Sequence, residues 1–187
     1  DIRDITQDEL RCKIGYVPQK SVLFSGTIDS NIKFGKEDAT KEEAEKAATI
    51  AQAMDFINGK EKGFDADISQ GGSNVSGGQK QRLSIARAIV RKPEIYIFDD
   101  SFSALDFKTD VVLRRALSKE IDDSIIFIVA QRISTIMHAE QIIVLDEGKV
   151  VGIGTHSKLL KDCEVYQQIA SSQLSEKELL ASTKEVA

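Results

Sequence analysis

Tryptophan is absent from the 187 residues, and proline, cysteine, methionine and histidine occur only twice each. So few cysteines exclude a disulfide scaffold; Cys12 and Cys163, in a sequence with no secretory signal, read as free thiols of a reducing compartment. A metal centre would need more such ligands, and His138 and His156 lie near no cysteine cluster or carboxylate pair. They read as surface or capping residues. Long apolar runs are missing too. The longest, Ile125 to Ala130, falls far short of the roughly 20 residues a membrane helix needs. The opening Asp1-Ile2-Arg3-Asp4 has neither the basic end nor the apolar stretch of a signal peptide, so the chain as given reads as soluble. Excess basic charge is lacking as well: 25 Lys and Arg against 30 Asp and Glu leave a net charge of −5. That balance argues against a nucleic-acid partner, which calls for a basic face. What is present, 41% hydrophobic and 29% charged residues, is ordinary globular composition and excludes a disordered or collagen-like chain.

Strand and helix signals alternate along most of the sequence, which predicts an α/β class. Ile14 to Val17 is a short apolar run stopped by Pro18, and Gln19 to Gly35 reads as a loop-rich stretch. Thr40-Lys41-Glu42-Glu43 matches a capping box, and the alanines from Ala44 to Ala51 with Met54 continue one helix to Asn58-Gly59. Residues 60–78 are rich in Gly, Ser and Asp and read as irregular, followed by a helix over 79–92 that Pro93 stops. Then come a buried strand Ile95–Phe98, a helix over 106–119, a strand over 124–130 and a short helix over 133–137. A strand over 141–145, a turn at Gly148 and a helical stretch from Ser157 complete the series. The layout predicts a parallel-sheet core with a helical insertion, divided as 1–37 core, 38–92 helical subdomain, 93–175 core and 176–187 flexible tail.

Two places carry chemistry. Asp99 and Asp100 end an apolar strand, the position at which open α/β sheets bind ligands. One acid there can hold Mg²⁺ through water and the second can orient an attacking water. Val75-Ser76-Gly77-Gly78-Gln79-Lys80-Gln81-Arg82 opens a helix with a serine and two glycines. Free backbone N–H groups and the positive end of the helix dipole then point at whatever lies in front, and a phosphate fits.

These residues resemble the nucleotide-binding domain of ABC transporters, a P-loop NTPase fold, over nearly the whole chain. Ser76-Gly77-Gly78-Gln79 is similar to the signature motif, with Val75 where leucine is commoner; Ile95–Asp99 is similar to Walker B and Ser103-Ala104-Leu105-Asp106 to the D-loop. Val17-Pro18-Gln19 resembles the Q-loop, and Ala130-Gln131-Arg132-Ile133 stands at the switch position. The stretch Leu23–Ile28 through Asn31-Ile32 is similar to the exporter type. The resemblance implies ATP and Mg²⁺ as ligands, with Asp99 and Gln19 on the metal side and Asp100, Gln131 and Gln19 in catalysis. It implies Ser76, Gly77, Gly78 and Gln79 facing a partner's ATP, with Ser103 and Asp106 signalling between sites. The implied partners are a second nucleotide-binding domain and a transmembrane domain reached through coupling helices, at the cytoplasmic side of a membrane.

The sequence departs from that pattern in three ways. It holds no G-x-x-x-x-G-K-[ST]: the Gly-Lys pairs at Gly35, Gly59 and Gly148 lack the other residues. The expectation is therefore a fragment that begins just after the Walker A helix and lacks the N-terminal strands. A central strand lost from the sheet would leave apolar faces and edges exposed. Asp100 stands where glutamate is usual, withdrawing the carboxylate by roughly an ångström, a misplacement that can cost about 100-fold in rate. Gln131 stands where histidine is usual and cannot change charge; Gln70, before the signature, replaces a usual glutamate. The pattern resembles the degenerate half of a heterodimeric exporter, poor at its own site while its signature completes the partner's. Two other readings stay open: a non-hydrolytic regulatory module that clamps nucleotide, and a soluble ABC ATPase, against which the exporter-type stretch and the acidic charge speak.

Overall fold

The computed structural model describes residues 1–121, 123–175 and 179. The chain falls into two compact units, residues 1–129 and 130–187. In the first, α1 (Gln7–Lys13) leads into β1 (Ile14–Val17), then β2 (Gly26–Thr27), α2 (Ile28–Lys33), α3 (Lys41–Ile50), α4 (Met54–Asn58) and β3 (Asp67–Ile68) follow. The unit continues with α5 (Gly77–Val90), β4 (Ile95–Asp99), α6 (Phe107–Glu120) and β5 (Ile125–Val129).

The strands β1, β4 and β5 form a parallel sheet in the order β1-β4-β5, with Val17 opposite Phe98 and Phe98 opposite Ile128. Residues alternate between its faces. Val17, Tyr96 and Phe98 point into a core that they share with Leu83, Ile85, Ala86, Ile89 and Val90 of α5 and with Leu113 and Leu117 of α6. The opposite face presents Tyr16, Ile125, Phe127 and Val129, each more than half exposed. Fully buried Leu83 illustrates the energetics of the covered side, where a Leu→Ala cavity costs about 2–5 kcal/mol. Between β1 and β4 lie the helices α2 to α5 and the small antiparallel β2–β3 pair.

Several predicted elements stand where the sequence puts them: the Thr40 capping box is formed, Asp106 caps α6, and β4 ends at Asp99. Two differ. The single helix expected over 41–58 is broken into α3 and α4, because Gln52 takes a left-handed φ of 56° and the Arg82 guanidinium donates to its carbonyl at 2.7 Å. The loop expected over 19–35 contains α2, started by a second capping box in which Thr27 and Ser30 bond reciprocally.

The second unit contains α7 (Ile133–Ile136), β6 (Ile142–Asp146), β7 (Lys149–Gly154), α8 (His156–Asp162) and α9 (Glu164–Gln173). Here β6 pairs antiparallel with β7 in a sheet of its own. Its core gathers Ile142, Val144, Leu159, Cys163 and Tyr166. His156 departs from the surface or capping role expected of it. It is buried, with Nδ1 2.7 Å from the Tyr166 hydroxyl, and burial pushes its pKa down and that of Tyr166 up to about 12. Thr155 supplies the cap instead. Cys12 is exposed and Cys163 buried, both as free thiols. The tail expected over 176–187 lies, Leu179 apart, outside the described residues. Among the described residues no helix is long and apolar enough to cross a membrane.

Candidate functional site

At the carboxyl end of β4 the chain turns sharply. Asp100 takes a left-handed φ of 44°, a conformation aspartate tolerates better than most residues. Its N–H donates to the Val129 carbonyl at 2.9 Å, and its own carbonyl accepts from the Ser103 hydroxyl at 2.8 Å. Ser101 is fully buried and donates its hydroxyl to the Val17 carbonyl at 2.8 Å, tying this turn to the end of β1. That tie brings Gln19 to the turn, where its Nε2 donates to Asp100 Oδ2 at 3.0 Å. Beside it the Tyr16 hydroxyl donates to Asp99 Oδ2 at 2.9 Å, a bond that raises the tyrosine pKa. Gln19, Asp99 and Asp100 are therefore brought together on one sheet edge, as their positions in sequence implied. Tyr16 and Ser101 were not singled out: a tyrosine inside a strand run and a serine in a turn carry no local signal.

The second place is the start of α5. Ser76 accepts from the Gln79 N–H at 3.3 Å and Gln79 Oε1 accepts from the Ser76 N–H at 3.0 Å, a complete capping box. The box occupies both side chains and leaves the Gly77 and Gly78 amides as first-turn donors without acceptors inside the helix. The two glycines differ. A Cβ at Gly78 would stand 3.3 Å from the Ala104 carbonyl, so the start of α5 lies directly against the Ser103–Asp106 loop. A Cβ at Gly77 would meet nothing within 4 Å, and Gly77 is exposed. A glycine at a helix start that no neighbour requires leaves room for something approaching from outside.

Asp106 accepts from the Thr109 N–H and hydroxyl, which hold its carboxylate below the usual range. Arg82, half-buried on α5, stacks its guanidinium 5.1 Å over the Phe56 ring besides bonding Gln52; burial lowers its pKa, with Asp106 and Asp55 opposing. Gln131 belongs to the second unit, exposed, immediately before the Arg132 N-cap of α7, and its carbonyl accepts from Gln173 Nε2 at 2.8 Å.

The donor set fits a magnesium nucleotide in kind. Among the described residues no group of three or more His, Cys, Asp or Glu is placed to hold a metal. One strand-end carboxylate beside a glutamine amide instead suits Mg²⁺, which takes one or two carboxylates and completes its shell with phosphate oxygens and water.

Known proteins carry the same arrangement. The family model described as ABC transporter matches residues 1–103. The ABC transporter ATP-binding protein YfiB of Bacillus subtilis is 46% identical over 172 residues, covering 92% of this chain and 30% of its own length. The ATP-dependent lipid A-core flippase of Desulfotalea psychrophila is 42% identical over 173 residues, again covering 92% of this chain and 30% of its own. Among solved structures, a bacterial Atm1-family ABC exporter with ATP bound superposes with a TM-score of 0.90 at 37% identity. That match covers 94% of this chain and 31% of the exporter's. The chain thus spans a little under a third of the length of the relatives it matches. With a parallel sheet ending in Asp99-Asp100, a capped glycine pair at the start of α5 and these relatives, the chain belongs to the ABC transporter family.

Proposed function

We propose that the chain is the larger part of a nucleotide-binding domain that couples ATP binding and hydrolysis to export across a membrane, working from the cytoplasmic side. Its partners are a second nucleotide-binding domain and a transmembrane domain. Residues 38–92 act as the helical subdomain that carries the signature, between core segments 1–37 and 93–175. Asp99 with Gln19 holds Mg²⁺, which neutralises charge developing on the transferred phosphoryl group. Asp100 and Gln19 orient water, and Gln131 hydrogen-bonds the terminal phosphate. Asp100 is one methylene shorter than glutamate and Gln131 cannot take up a proton, so this site hydrolyses slowly. Ser76, Gly77 and Gly78 face the ATP held by the partner, with Gln79 keeping the helix start in shape and Ser103 and Asp106 linking the two sites. By itself the 187-residue chain, which has no G-x-x-x-x-G-K-[ST] loop, binds Mg-ATP weakly and hydrolyses little of it; micromolar affinity in a calorimetric titration would contradict this.

The observation that carries the reading is the open space around Gly77. Nothing in the chain needs a glycine there, and an alanine should be neutral or stabilising to the helix by up to about 1 kcal/mol. A phosphate drawn to the first-turn amides does need it. Gly77→Ala in the complete transporter should therefore leave the melting temperature unchanged or higher while ATP turnover falls about tenfold or more, as for loss of a preorganised donor. Turnover that survives the substitution would refute the reading.

A further inference from the structure

Gln81, on α5, is 2% exposed, an unusual burial for a neutral amide whose helix has an apolar core face. A buried amide is tolerated when both ends are bonded, and here both are. Its Oε1 accepts from the Ser21 hydroxyl at 2.5 Å and its Nε2 donates to the Pro18 carbonyl at 3.3 Å. Pro18 and Ser21 bracket Gln19, the residue whose amide reaches Asp100 at 3.0 Å. Six residues further along α5, Arg87 donates to the Val22 carbonyl at 3.0 Å and to the Asn31 carbonyl at 2.8 Å. The segment from Pro18 to Val22 is thus fastened to α5 twice. On its other side, Val17 is fastened to the β4 turn by Ser101. Leucine or methionine would fill the site of Gln81 without demanding polar partners, so its amide is retained for what it grips.

We propose that Gln81 is a positioning residue that couples the two half-sites of the chain, so that displacement of Gln19 at the Asp100 edge is passed to the phosphate-facing start of α5. The proposal rests on the function proposed above, in which Gln19 serves the chain's own nucleotide and Ser76–Gly78 the partner's. The α-helix between Gln81 and Ser76 is under two turns of hydrogen-bonded backbone, stiff enough to carry a shift of the loop to its own N-terminus. Arg87 keeps the far end of the loop in place, which leaves the Pro18–Ser21 stretch as the part free to pull on the helix.

A double-mutant cycle in the complete, membrane-embedded transporter tests the coupling, with steady-state ATP turnover as readout and melting temperature measured for each variant. Gln19→Ala should lower turnover about fivefold when Gln81 is native, but by less than about 1.5-fold on a Gln81→Leu background, because transmission is already lost. A merely structural Gln81 would lower the rate yet leave the Gln19→Ala factor unchanged, and that result would overturn the proposal. So would a Gln19→Ala factor of one with Gln81 native. Should Gln81→Leu fold poorly, Ser21→Ala removes only one of the two grips and should reduce the Gln19→Ala factor to about twofold; an undiminished factor is equally fatal. Gly78→Asp separates this outcome from failure of the functional reading. If that variant keeps turnover, the signature assignment is wrong; if it loses turnover while the cycle shows no coupling, only Gln81's role falls.

Discussion

The start of α5 and the end of β4 present a candidate ligand with different kinds of group. At α5 the donors are main-chain amides, aimed by a helix whose capping box and packing against the Ser103–Asp106 loop fix its start. At β4 the groups are side chains, Gln19, Asp99 and Asp100, on a turn that Ser101 clamps to β1. Amides of a helix cannot be lost by one substitution so long as the glycines remain. A carboxylate can be moved by one methylene. The proposed division into an intact signature and a slow hydrolytic edge follows from that difference: side-chain chemistry decays one residue at a time, and backbone chemistry does not.

The largest effect expected breaks the comparison at its stronger end. Gly78→Asp should reduce turnover of the complete transporter by about 100-fold, since its Cβ crowds the Ala104 carbonyl and its carboxylate repels a phosphate at a helix N-terminus. Asp100→Asn, at the weaker end, should change turnover by less than about twofold, because the carboxylate serves the slow site. Steady-state rates of both variants in one membrane preparation decide the matter. If Asp100→Asn is the more damaging, this chain owns the working site and the division is reversed.

A smaller effect in the opposite direction sharpens the weaker end. Asp100→Glu with Gln131→His should raise hydrolysis at this site about tenfold, part of what an ångström of misplacement can cost. Either change alone should do less, because water and terminal phosphate must both be held. Single-turnover measurements with the partner's site disabled report this site alone; no gain in the double variant would remove these two residues as the cause of slowness.

The sequence made these two ends legible because both are local. Ser76-Gly77-Gly78-Gln79 is a capping box in four consecutive residues, and Asp99-Asp100 closes an unbroken apolar strand. What it hid depends on partners far along the chain. Gln81 meets residues about 60 positions earlier, Arg82 sets the break at Gln52 from 30 positions away, and Tyr16 finds Asp99 across two strands. Helix α2 was missed for another reason: its cap, Thr27 with Ser30, sits among loop-forming residues, and six residues give too little periodicity to outweigh them. His156 shows no sign in sequence of the buried hydrogen bond to Tyr166, ten positions on and brought alongside by packing.

The smallest effect concerns what holds α5 from behind. Glu43, in the capping box of α3, accepts from Lys92 Nζ at 2.6 Å, just beyond the end of α5, and from Lys36 Nζ at 2.9 Å. The bond from Lys92, then that from Lys36 and the Thr40 amide, lower its pKa from 4.5 to about 2. A carboxylate depressed in the folded state stabilises the fold above its unfolded value, and the contribution is lost as pH falls through the folded one. The expected window is therefore about pH 4.5 down to about 2. Glu43→Gln should lower the denaturation midpoint of the 187-residue chain at neutral pH by a small amount, since exposed pairs contribute little. The gap between variant and native chain should narrow below about pH 4.5 and close near pH 2. Amide exchange should place the loss in α3 and the last turn of α5, leaving the amides of β4 unchanged. Loosening that spread equally to β4 would show that the helical segment and the carboxylate edge unfold as one, and that the two ends are less independent than their chemistry.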